Sequence, residues 1–231
     1  MFGTLDFKSY SDFIPPFEVP VEIENVGETL TQRLEQISLD EEDYIRNTYP
    51  GFVNKLGKNP EEESKLEDWL TNRAFEYNLL KFADKYPELN DLKHKIYLQW
   101  KNYITAVNGK ENTPYIQMWI NVLKPNGRYF TKHHHAHPSR IGNPLKSYVS
   151  GHICVKAINT KTYYYSPFID VMKIGIPNVP GECTLFPGWV NHETDPNLSN
   201  EPRITLAFDI ITEEMYIEGK MDNPSNYIKL E

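Results

Sequence analysis

His133-His134-His135-Ala136-His137-Pro138 places four of the chain's seven histidines within five consecutive positions. Side chains on an extended strand alternate between faces, so His133, His135 and His137 share one side and His134 takes the other. Imidazoles two positions apart on one face can share a single metal ion, and neutral imidazole suits iron, zinc, copper and nickel. A third ligand has to come from elsewhere. His192 is the candidate, at the end of Phe186-Pro187-Gly188-Trp189-Val190-Asn191-His192, 55 positions after His137 and far enough to return on another strand. Eleven positions further on, Arg203-Ile204-Thr205 puts a guanidinium and a hydroxyl on the same face of a new strand. Metal ligands beside a fork for a carboxylate describe a site for a metal and an acidic small molecule.

Around this centre the chain alternates strictly. In Tyr115–Leu123 the even positions Ile116, Met118, Ile120 and Val122 are apolar, and the odd ones are Tyr115, Gln117, Trp119 and Asn121. In 146–156, Val149, Gly151, Ile153 and Val155 oppose Tyr148, Ser150, His152 and Cys154. In 203–210, Ile204, Leu206, Phe208 and Ile210 oppose Arg203, Thr205, Ala207 and Asp209. Strands with one apolar and one polar face imply a curved sheet, covered by helices outside and lining a wet cavity inside.

The helices come earlier. Leu30, Leu34 and Ile37 are spaced for a short amphipathic helix, and 41–58 reads as irregular with room for one helical turn. Asn59-Pro60-Glu61-Glu62 has the form of a helix start, with Leu66, Trp69, Leu70, Ala74 and Tyr77 along one face. Pro87 opens another helix that carries Leu89, Leu92, Ile96, Trp100, Tyr103, Ile104 and Val107, with Gly109 as its stop. Phe17–Ile23 reads as an edge strand because of Pro20. The expected architecture is α+β and one domain: a mainly helical support layer in 1–113, a barrel core in 114–212 and a tail in 213–231.

At 231 residues the chain can bury a core around a polar site. A net charge of −8 argues against non-specific binding to nucleic acid, which needs cations to neutralise phosphates. Met1–Lys8 lacks the basic-then-apolar order of a signal peptide, and no apolar run is long enough to span a bilayer. Two cysteines, Cys154 and Cys183, make no disulfide framework and read as buried fillers in a reducing cytoplasm.

Taken in order, Trp119-Ile120-Asn121-Val122, His135-Ala136-His137-Pro138, Ser150-Gly151, Leu185–His192 and Arg203-Ile204-Thr205 resemble the iron(II)- and 2-oxoglutarate-dependent oxygenases. They are most similar to a bacterial and phage group with an HxHP motif, and the resemblance runs from about residue 114 to 212. It implies a double-stranded β-helix, a jelly-roll barrel like that of the cupins. It also implies a dioxygenase using Fe(II), 2-oxoglutarate and O2, a hydroxylase whose substrate stays open, the aromatic pocket being compatible with a peptide side chain, a small metabolite or a nucleobase. Arg203, helped by Thr205, would hold the distal carboxylate of 2-oxoglutarate. Asn121, Tyr115, Gln117 and Ser150, on polar strand faces, are further candidates for the co-substrate pocket.

His135 and His137, bordering Pro138, are the expected metal ligands and catalytic centre together with His192, and His133 is the rival partner for His135. His134 faces away. His152 faces the cavity, as a wall residue or a substrate contact. Two departures from the family pattern stand out. A histidine occupies the usual carboxylate position of the facial triad, for which Glu193 and Asp195 are weak substitutes. The loop Ser139–Ser147 also looks longer than usual. The alternative is a cupin-like three-histidine protein, disfavoured by Arg203-x-Thr205. No membrane or nucleic-acid partner is expected, and a homodimer is left open.

Overall fold

The computed structural model describes residues 1–8, 16–48, 69–71, 77–123, 125, 131–135, 149–169, 171–218 and 224–231. In chain order the strands are β1 (Phe2–Phe7), β2 (Phe17–Asn25), β3 (Trp69–Thr71), β4 (Pro114–Leu123), β5 (Val149–Lys156), β6 (Lys161–Tyr165), β7 (Lys173–Pro177), β8 (Glu182–Pro187), β9 (His192–Thr194), β10 (Arg203–Thr212) and β11 (Ile228–Lys229). The helices are α1 (Glu28–Thr48), α2 (Glu88–Ala106) and the short α3 (Glu213–Glu218).

Among the described residues, the larger sheet runs β1-β2-β8-β5-β10-β4-β11, with β3 also on β4, and the smaller runs β7-β6-β9. The strand pairs are antiparallel, and the two sheets form the jelly-roll. Its centre is β10. There Thr205 opposes Asn121, Ala207 opposes Trp119 and His152, and Asp209 opposes Gln117 and Ser150. The apolar faces of β4, β5 and β10 turn outward under the helices. Ile116, Met118, Ile120, Val122, Ile153, Leu206 and Phe208 share one core with Leu34 and Ile37 of α1 and Leu92, Ile96 and Trp100 of α2. Each such side chain contributes about 1.5–3 kcal/mol by leaving water.

Helix α2 starts where Pro87 predicts, and Glu88 and Asp91 in its first turn complement the helix dipole. Its stop is set one residue earlier than expected. Asn108 takes the left-handed conformation at φ 52°, and the Gly109 N–H then donates to the Ile104 carbonyl at 2.8 Å.

Four expectations are corrected. Helix α1 continues through residues 41–48, which read as irregular because its buried face there carries acids. Glu41 accepts hydrogen bonds from Lys85 Nζ, Tyr77 Oη and Tyr86 Oη, so burial at that turn is polar and the apolar period fails. Trp69 and Leu70, assigned to a helix face, lie in β3, where backbone pairing with β4 overrides helical spacing. The rest of that expected helix, residues 59–68 and 72–76, lies outside the described residues, as does the loop 139–147. Strand β2 is no edge, since β1 pairs on one side and β8 on the other. Pro20 precedes the stretch Glu22–Asn25 that meets β8. Finally, the larger sheet takes in β1, β2 and β11, from outside 114–212.

Gly151 is crowded by its own cross-strand partners in the larger sheet, Phe208 on β10 and Leu185 on β8. A Cβ there would stand 2.6 Å from Phe208 Cε2 and 2.8 Å from Leu185 Cδ2. Gly151→Ala is therefore expected to destabilise the fold by about 1–3 kcal/mol through overpacking. Thermal unfolding checks this, and an unchanged midpoint would show that the Phe208 ring yields freely.

Candidate metal centre

Two backbone segments bring three imidazoles together. His192 opens β9, and His133 lies antiparallel to it as an isolated bridge. The His133 N–H donates to the His192 carbonyl at 3.0 Å, and the His192 N–H donates to the His133 carbonyl at 2.8 Å. Two residues on, the His135 N–H donates to the Gly188 carbonyl at 2.9 Å. The rings follow: His133 and His192 have centroids 4.3 Å apart, and His135 and His192 5.1 Å apart. One nitrogen from each of the three can be chosen so that all lie within 4.8 Å of one another.

The outer nitrogens decide what the inner ones offer. His133 Nδ1 lies 2.6 Å from the Thr131 carbonyl, His192 Nδ1 3.1 Å from the Val190 carbonyl, and His135 Nδ1 2.6 Å from Asp209 Oδ1. Each partner is an acceptor, so each Nδ1 carries a proton, and in the neutral ring each Nε2 then presents a lone pair. This is the form in which histidine binds a metal, held by outer partners. Burial and the neighbouring His133 and His135 hold the His192 pKa well below its ordinary value. His152, which faces the same cavity, is pushed down to about 3 by burial, Arg203 and His135. Both rings are neutral at pH 7.

His135 and His192 thus stand where the strand phase puts them, and His133 completes the cluster. His137 lies outside the described residues. His134 is exposed and faces away, and His94 is exposed on α2. Glu193 and Asp195 are engaged elsewhere: Lys173 Nζ donates to Glu193 Oε1 at 2.6 Å, and the Lys161 N–H to Asp195 Oδ2 at 2.8 Å.

Behind the imidazoles the same cavity, about 80 Å3 in volume, is lined by Trp119, Asn121, Phe186, Arg203 and Thr205. Arg203 is only 3% exposed, and among the described residues its Nε has no hydrogen-bond partner. Its Nη1 reaches the Asp195 carbonyl at a long 3.4 Å. Burial lowers its pKa, although a guanidinium stays charged at any pH of interest. Thr205 Oγ1, Asn121 Oδ1 and the hydroxyl of fully buried Tyr164 are likewise without partners. Buried polar groups are ordinarily satisfied, so two hydroxyls able to donate beside a buried guanidinium, with the Asn121 amide oxygen as an acceptor, suit an anionic ligand that also brings a donor or a water.

Three expected pocket residues sit elsewhere. Tyr115 stacks on Tyr216 with ring centroids 4.0 Å apart. Gln117 Nε2 donates to the Tyr77 carbonyl at 3.1 Å, and Ser150 Oγ to Asp209 Oδ1 at 2.7 Å. All are on the polar face, as read, but too far along it. Six residues separate Tyr115 from Asn121, roughly 20 Å of strand. Two residues at the site were missed. Asp209 continues the Arg203, Thr205 alternation along β10. Tyr164 lies two positions from cavity-lining Thr162 on β6, and its ring is 5.1 Å from Phe186.

A family model described as "Putative 2OG-Fe(II) oxygenase" matches residues 141–209. No curated protein matches the chain in sequence. Among solved structures, a non-heme alpha-ketoglutarate-dependent carbocyclase from nogalamycin biosynthesis is similar at TM-score 0.56 and 11% identity, covering 83% of this chain and 79% of that one. A Trichoplax adhaerens prolyl hydroxylase, solved with a peptide fragment of hypoxia inducible factor, is similar at TM-score 0.52 and 14% identity, covering 84% of each chain. A viral collagen prolyl hydroxylase from Paramecium Bursaria Chlorella virus-1 is similar at TM-score 0.52 and 10% identity, covering 83% and 95%. At these identities the likeness is one of fold. The chain therefore shares the double-stranded β-helix of these oxygenases, and the part that matches the family model is residues 141–209.

Proposed function

We propose that the protein is an iron(II) dioxygenase that couples oxidative decarboxylation of 2-oxoglutarate to hydroxylation of a second substrate. One observation carries this reading: one ring nitrogen from each of three imidazoles lies within 4.8 Å of the others, in the same cavity as a buried guanidinium whose Nε has no partner among the described residues. His133, His135 and His192 would hold the metal, His133 taking the place first assigned to His137. Iron(II), when bound there, supplies one-electron and dioxygen chemistry that amino-acid side chains lack.

The remaining work falls to the chain itself. Arg203 would pair with the far carboxylate of 2-oxoglutarate, with Thr205 and Tyr164 donating hydroxyl hydrogen bonds. The oxo-acid end is then held at the imidazole cluster, and Asn121 lies between the two ends. Trp119 and Phe186 narrow the cavity and exclude water, which strengthens each polar contact inside. The substrate class we propose is a peptide side chain or a small metabolite, met in the cytoplasm. A cupin-like binding role would leave the buried guanidinium and its neighbouring hydroxyls without a task. No helix among the described residues is long and apolar enough to cross a membrane.

The test is isothermal titration of 2-oxoglutarate into anaerobic manganese-loaded protein, followed by detection of succinate after iron and air are supplied. Saturable binding with succinate formation is expected. Absence of both overturns the proposal.

A further inference from the structure

Three neutral imidazoles bring no negative charge to a divalent ion, whereas a facial triad brings one through a directly bound carboxylate. In this chain a carboxylate stands one ring further out. Asp209 is fully buried, and its Oδ1 accepts from His135 Nδ1 at 2.6 Å and from Ser150 Oγ at 2.7 Å. The sheet register fixes this arrangement, since Ser150 and Asp209 are direct cross-strand partners on β5 and β10. A bond this short between a ring N–H and a carboxylate is charge-assisted. It polarises the imidazole and raises the electron density at the opposite nitrogen, Nε2.

We infer that Asp209 is a positioning residue that acts through His135, locking the ring with Nε2 toward the metal and supplying, across the imidazole, the negative charge that the ligand set itself lacks. The inference rests on the metal site proposed above. Ser150, read from sequence as a co-substrate contact, instead fixes the rotamer of this carboxylate. The assignment also explains a costly feature. A carboxylate excluded from water is expensive in the metal-free protein, and a divalent cation one ring away offsets that cost.

Asp209→Asn keeps the volume and an acceptor oxygen while removing the charge. Affinity for manganese(II) and zinc(II), measured by competition with a chromophoric chelator, is expected to fall by roughly 10–100-fold. The midpoint potential of bound iron should move positive, because the ferric state loses more from the missing charge. The metal-free variant should unfold at the wild-type temperature or above it. Ser150→Ala retains the charge but frees the carboxylate to turn, and should lose affinity by a smaller factor with little change in midpoint. Wild-type metal affinity in Asp209→Asn, or a loss of affinity with the iron midpoint unmoved, overturns the inference. If Asp209→Asn does not fold, unchanged affinity in Ser150→Ala overturns it. Failure of the wild-type chain to bind metal would instead refute the underlying metal site.

Discussion

Arg203→Ala should lose 2-oxoglutarate binding by two to four orders of magnitude while its metal content stays at the wild-type level. The guanidinium is buried and Nε lacks a partner among the described residues, so its natural complement is a carboxylate brought in by a ligand. Removing one member of a buried ion pair costs on the order of 3–5 kcal/mol, and each 1.4 kcal/mol is tenfold in affinity. Arg203→Lys should recover only part of the loss, because an ammonium is a point charge and cannot meet both carboxylate oxygens as the planar fork does. Calorimetric titration of 2-oxoglutarate into manganese-loaded wild type and both variants is the measurement. Equal affinity in wild type and Arg203→Ala would remove Arg203 from the site.

The second large effect concerns the metal itself. His192→Ala and His133→Ala should each reduce bound metal to a small fraction of wild type, as read by mass spectrometry after gel filtration. The reason is geometric: nitrogens of His133, His135 and His192 lie within 4.8 Å of one another, and each Nδ1 is held by an acceptor. The thermal midpoint gives an independent reading. A ligand that binds only the folded state stabilises it by about 2.7 kcal/mol when present at 100 times its Kd. Wild type should gain stability on adding metal, and the two depleted variants should gain almost none. Metal retained by His133→Ala but lost in His137→Ala would restore the original assignment.

How much of this was legible in the sequence follows from what kind of contact each feature depends on. The period-2 alternation in β4, β5 and β10 revealed the barrel wall, because one face of each strand is apolar and the other polar without interruption. The same alternation put Arg203, Thr205 and Asn121 on one wall. Depth along that wall was not legible, since strand phase fixes a face but not a position, and Tyr115, Gln117 and Ser150 fall at the far end. The choice among the histidines rested on the nearness of Pro138. What brings His133 in is its backbone bridge to His192, a long-range pairing that no local pattern reports. Asp209 was visible on the right face, but its role depends on meeting His135 from 74 positions away. The buried acid Glu41 hid the second half of α1 by the same logic, because a polar residue satisfied by tertiary partners breaks the apolar period.

The short bridge between His133 and His192 has a kinetic consequence. Residues 133 and 135 are tied to the rest of the molecule by three backbone hydrogen bonds, at 2.8, 2.9 and 3.0 Å. Local opening of that segment would carry two of the three imidazoles away together, so ion release becomes a single all-or-none event with no stepwise loss of ligands. The off-rate should then track the opening rate of this small foldon, and the two could be read on one clock: amide hydrogen exchange at His133 and His135 against the decay of metal occupancy into a chelator.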